Sequence, residues 1–208
     1  MTRRPLYGLA LCLLLMSGGP VASGWAQTSP LDIQAFGQSL HEAQRAHLWR
    51  VATWGGANVA GGLALVLASS RDEQNARWAF GAMSAGWGAV NIGIAAVGLA
   101  TASAPEATYA ATLSAERTLH DILLVNLGLN VAYASVGGAM VAAGYRDVSN
   151  PAAWRGYGAS LIMQGAGLLG LDGIAFLASR TRLSRLLELT EPVSAHIGPT
   201  GVALTISL

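Results

Sequence analysis

A chain of 208 residues with 52% hydrophobic content, 11% charge and a formal net charge of +1 lacks the basic footprint that a nucleic-acid binder needs, so no nucleic-acid partner is expected. Its mean hydropathy of +0.44 and 26 glycines also lie outside the composition of ordinary soluble domains, and point to a membrane protein with the lipid bilayer as its first partner. The chain has no lysine at all, a composition that with so much Ala and Gly fits a GC-rich bacterial source.

The N-terminal segment has the order of a secretory signal: Arg3 and Arg4, an apolar run from Leu6 to Met16, then small residues up to Gly24-Trp25-Ala26. Cleavage is expected after Ala26, giving residues 1–26 as a signal peptide; an uncleaved anchor is the alternative. Cys12, the only cysteine, falls inside this apolar run. The mature chain is therefore expected to hold no disulfide and no cysteine metal site.

Ser29-Pro30-Leu31-Asp32 carries the residues of a helix start, and Ile33, Phe36, Leu40 and Ala43 follow at helical spacing. The spacing predicts an amphipathic helix running toward a first span at 48–69. His41 and His47 fall in it on roughly opposite faces, which argues against a two-histidine metal site and for surface or interfacial histidines. A charged turn over 70–77 leads to a second span at 78–101, where Ser84, Gly88, Asn91, Ala95 and Gly98 form a stripe of small residues that lets a neighbouring backbone approach. Ser103-Ala-Pro105-Glu106 has a capping signature, and a polar helical link leads to a third span at 119–144 with Asn126, Asn130, Tyr133 and Gly137 on one face. Asn150-Pro151 is placed to cap the fourth helix, with a span at 154–179 and a continuation through Glu188. Residues 190–208 form a tail that switches to alternating periodicity, with Val193, Ala195 and Ile197 and then Val202, Leu204, Ile206 and Leu208 around Gly198-Pro-Thr-Gly201. This reads as a β-hairpin, with a frayed tail as the alternative.

Two pieces of the chain look alike. Gly56-Ala-Asn58-Val-Ala60 matches Gly128-Leu-Asn130-Val-Ala132, Arg71-Asp72 matches Arg146-Asp147, and Phe80-Gly81 matches Tyr157-Gly158. These pairs suggest a duplicated two-helix hairpin, with chance matches in an Ala/Gly-rich chain as the alternative. The signal peptide directs the mature N-terminus outward, and four spans return the C-terminus to that side. The arginines favour the opposite orientation; the signal peptide, which engages export first, decides for a bacterial cytoplasmic membrane protein with both mature ends extracytoplasmic.

The fourth span carries a carboxylate well inside it. A mid-helix Asp costs about 3 kcal/mol on an insertion scale, which the surrounding Leu, Ile and Phe offset, but Asp172 is not expected to face lipid. At about 1.5 Å per residue, Asp172 and Asn126 share a level about 10 Å inside one boundary. Asn58, Asn91 and Asn130 lie slightly deeper, and Gln164 deeper again on the face of Asp172. In a bundle these six side chains converge into one polar layer. Such a layer either fixes helix packing or forms a site in which Asp172 binds a proton, a cation or a small polar ligand. His120-Asp121 at the span mouth reads as an interfacial pair or, less simply, a proton relay. No phosphate loop, metalloprotease motif or recognisable Ser or Cys nucleophile occurs, so no enzyme, metal or cofactor is assigned.

Gly86-Trp87-Gly-Ala-Val-Asn91-Ile-Gly93, Asn126-Leu-Gly-Leu-Asn130-Val-Ala-Tyr133, Gly156-Tyr-Gly158, Gln164-Gly165 and Asp172-Gly173 together resemble an uncharacterised bacterial family of small four-span membrane proteins, over about residues 45 to 180. The resemblance implies a fold and no activity; it also implies an Asp where Asn130 stands. The expected architecture is an all-α four-helix transmembrane bundle over 27–189, with an N-terminal amphipathic helix and a C-terminal β-hairpin. The leading expectation for its role is an accessory or assembly protein whose polar layer fixes packing, alone as a homo-oligomer or with a membrane-protein partner. A small transporter or channel-like protein using Asp172 is the alternative.

Overall fold

The computed structural model describes residues 30–189, 194–198 and 201–205; the expected signal peptide lies outside the described residues. Its helical part is α1 (Pro30–Leu67), α2 (Asn75–Ala100), α3 (Tyr109–Ala143) and α4 (Pro151–Glu188). Separately, the backbones of β1 (Ser194–Gly198) and β2 (Gly201–Thr205) pair antiparallel, with Ser194 opposite Thr205.

Three helices, α2, α3 and α4, are long and apolar enough to cross a membrane. α1 is as long as α4, but its apolar stretch begins only after Arg50, is interrupted by Asn58 and ends with the helix at Leu67. The amphipathic segment and the first expected span are one unbroken helix. Two capping expectations are corrected. α3 starts at Tyr109, with Thr108 as its cap accepting from Ala111 N at 3.3 Å, so Ser103–Glu106 belongs to the loop. The Asn150 side chain makes no capping bond; the residue turns the chain in the left-handed region (φ 55°) ahead of Pro151.

α1 packs antiparallel on α2, and α3 antiparallel on α4. Both pairs close through the same device, a glycine of the second helix seated on a carbonyl of the first. A Cβ at Gly88 would stand 2.5 Å from the Gly55 oxygen, and one at Gly81 2.6 Å from that of Gly62. In the second pair, a Cβ at Gly165 would stand 2.5 Å from the Asn130 oxygen, and one at Gly158 2.5 Å from that of Gly137. The contacts superimpose Gly81 on Gly158, as the sequence match does, but they place Asn130 where Gly55 stands. Asn58 and Asn130, matched by sequence, are therefore not equivalent in space.

The two hairpins meet mainly through α2 and α4, which run parallel. At the end holding the 68–74 and 144–150 turns they touch closely: Gly156 seats the Ala76 carbonyl, and Ser84 Oγ and Ser160 Oγ are 2.8 Å apart. Toward the other end, which carries the 101–108 loop, α1 enters between them and bonds to α4. α2 and α3 do not pack backbone to backbone. That separation opens a cleft between them.

Candidate functional site

Asp172 is buried, 4% exposed, and held from two helices. Asn130 of α3 donates from Nδ2 to Oδ2 at 2.6 Å, and His47 Nε2 of α1 lies 3.1 Å from Oδ1. Each carboxylate oxygen thus has one partner, which is how an ionisable group is accommodated inside an apolar span. The expectation of a surface or interfacial His47 is overturned: the residue is only 8% exposed. The signal was in the spacing. His47 and Asn58 stand about three helical turns apart and share a face with Leu40 and Val51, all four of them buried.

The His47–Asp172 pair forms part of the wall of a cleft of about 730 Å³. Asn91, Asn126 and Tyr133 also line it, and Trp87 and Tyr133 meet at its inner end with ring centroids 4.8 Å apart. Leu48, Val51, Leu123 and Leu168 make much of the remaining wall apolar. Two buried nitrogens on this wall have no partner, His47 Nδ1 and Asn91 Nδ2. Leaving a buried polar group unpaired costs about 1–3 kcal/mol, so such groups commonly mark a functional site.

The six residues expected in one layer divide into two sets. Asp172, Asn130, Asn91 and Asn126 line the cleft, with Asn130 rather than Asn126 making the bond to Asp172. Asn58 and Gln164 instead close a network: Gln164 Nε2 donates to Asn58 Oδ1 at 2.6 Å, Trp54 Nε1 to Gln164 Oε1 at 3.1 Å, and Asn58 Nδ2 to the Trp54 carbonyl at 2.8 Å. This network ties α1 to α4. Gly167 leaves room for the Trp54 ring beside it.

A second polar cluster joins α3 to α4 nearer the loop end, and sequence reasoning missed it. Glu116 is fully buried; Arg182 donates to it from Nε at 2.8 Å and from Nη2 at 3.2 Å, and Ser179 Oγ donates to Oε1 at 2.5 Å. His120 lies 3.5 Å from the same Ser179 Oγ and stacks on Phe176 at 4.5 Å between ring centroids, while Asp121 is exposed. The bidentate arginine and the serine saturate the carboxylate, and Ser179 is fully buried. The cluster clamps two helices. Among the described residues no group of three His, Cys, Asp or Glu is placed to hold a metal ion.

A family model described as a family of unknown function, DUF6992, matches residues 50–173. That range covers most of the helical bundle, from Arg50 to just past Asp172. No curated protein and no solved structure matches the chain.

Proposed function

The chain belongs to this family of unknown function, and we propose that it is an integral membrane protein of transporter-like type that binds a small polar group at Asp172. One observation carries the proposal: a buried His–Asp pair lines a 730 Å³ cleft in which its own His47 Nδ1 and the Nδ2 of Asn91 are buried and unpartnered. A carboxylate needed only for packing has no use for a cavity of that size, within the range that small-molecule sites occupy. The assembly role suits other residues, since Asn58, Gln164 and Trp54 close their network and Ser84 pairs with Ser160.

Four spans make the simplest bilayer arrangement. α1 joins the three apolar helices because glycine contacts lock it along α2, and the two matching hairpins support an origin by duplication. The start of α1 and the end of α4 then share one face of the membrane. With a signal peptide leading export, that face is the extracytoplasmic side of a bacterial cytoplasmic membrane.

Mass spectrometry of small molecules released from the purified protein tests the binding role. A compound retained by the natural chain and lost from Asp172→Asn and Asn91→Leu, both still helical, is the expected result. If Asp172→Asn disrupts the bundle as much as Gln164→Leu does, Asp172 is a packing residue and the site is withdrawn.

A further inference from the structure

Building on the binding role just proposed, we infer that the cleft takes an amphiphile from the bilayer, one with an uncharged, hydroxyl-bearing head, admitted between α2 and α3. The opening is lateral. Ile94 of α2 is 60% exposed and Ile122 of α3 is 53% exposed, yet both line the cleft. The two helices are joined over the top by the 101–108 loop and meet at the inner end through Trp87 and Tyr133. Between these limits they leave a window whose flanks, Val90, Val97, Val125 and Leu129, are exposed and apolar. In a membrane such side chains face acyl chains, so the window gives onto hydrocarbon.

The chemistry of the inner wall selects the head. Asp172 accepts from both His47 and Asn130, so His47 Nε2 carries a proton, and Nδ1 is left to accept from a ligand when the ring is neutral or to donate to it when the ring is charged. Asn91 Nδ2 is a donor. A hydroxyl group both donates and accepts, and so can serve His47 in either form together with Asn91, where a carbonyl has nothing to donate to a neutral ring. Both oxygens of Asp172 are already taken, one by Asn130 and one by His47. An anionic head would face the Asp172 carboxylate, and a cationic one would have to displace His47. At the loop-end rim Arg45 and Glu106 oppose each other in sign and favour neither. The apolar wall at Leu48, Val51 and Leu168 then takes the first part of the chain, and the remainder passes out through the window.

The test uses the full protein in nanodiscs and native mass spectrometry, with monooleoylglycerol as the probe and oleate and free glycerol as comparisons. Saturable binding of monooleoylglycerol is expected, at least tenfold tighter than oleate and not displaced by glycerol. Ile94→Trp with Ile122→Trp should lower it at least tenfold, whereas Ile94→Ala with Ile122→Ala, which leaves the window open, should not. Both pairs replace exposed residues, and circular dichroism checks that they remain folded. Equal binding of oleate would overturn the uncharged head, and unchanged binding in the tryptophan pair would overturn the lateral route. Displacement by glycerol alone would overturn the amphiphile while leaving a polar binding site at Asp172 intact. Failure of monooleoylglycerol to bind, with a released compound still lost from Asp172→Asn, would also overturn this inference and not the binding role.

Discussion

Asn130 engages α4 at two points: its side chain holds Asp172 at 2.6 Å, and its own carbonyl oxygen would lie only 2.5 Å from a Cβ on Gly165. The helix contact and the placement of the carboxylate are therefore one feature. Gly165→Ala should push α4 off α3 and cost about 2 kcal/mol or more, with the Asp172 bond lengthened. Gly170→Ala, where a Cβ meets nothing within 4 Å, should be neutral or stabilise by about 0.5 kcal/mol. Denaturation of both variants in the same detergent checks the contrast.

The acid of the cleft should reveal its partners through what each substitution leaves behind. Asp172→Asn keeps an acceptor and should cost little, whereas Asp172→Leu strands His47 Nε2 and Asn130 Nδ2 and should cost about 2–4 kcal/mol. A double-mutant cycle with His47→Ala measures the coupling directly, and a value near zero would contradict the observed 3.1 Å pair.

Asn91→Leu is expected to stabilise the folded protein by about 1 kcal/mol, because it removes an unpartnered buried amide. The same variant should lose ligand. Gain of stability with loss of binding distinguishes a binding residue from a packing one, and the two measurements can be made on one sample.

Depth along each span was legible in the sequence because rise per residue is fixed, and so Asp172, Asn130 and Gln164 fall at levels where they can bond to partners on other helices. Rotation about each helix axis relative to its neighbours was not. That is why Asn58 and Gln164 formed a network of their own. Asn126 was expected beside Asp172 where Asn130 stands for a different reason: the two asparagines share a face one turn apart, and depth counted from the expected span ends is fixed only to about a turn. The Glu116–Arg182 clamp escaped for another reason: both residues sit outside the expected spans, where charged side chains read as solvated. Only the packing of α3 on α4 brings them together.

Removing one member of that clamp should be severe. Arg182→Met leaves the buried Glu116 carboxylate without its bidentate partner and should cost about 3–5 kcal/mol. Replacing Glu116 and Arg182 together with Leu and Met should cost much less, a non-additivity that equilibrium unfolding can measure.

The parallel contact of α2 with α4 can be trapped chemically. With Cys12 replaced, Ser84→Cys and Ser160→Cys should form a disulfide readily, since the two oxygens lie 2.8 Å apart. Val97→Cys with Val125→Cys, across the window, should not. A reversed outcome would rule out this pairing of the hairpins.

Each hairpin is locked internally by its glycines, so the two can behave as rigid levers that share a fulcrum at Ser84 and Ser160. On α4, Gln164 is about 6 Å from that fulcrum and Asp172 about 18 Å. Any small tilt of one lever therefore displaces Asp172 from His47 about three times as far as it displaces Gln164 from Asn58. The bond between α1 and α4 that lines the cleft is thus the one most sensitive to rocking, while the network nearer the fulcrum holds.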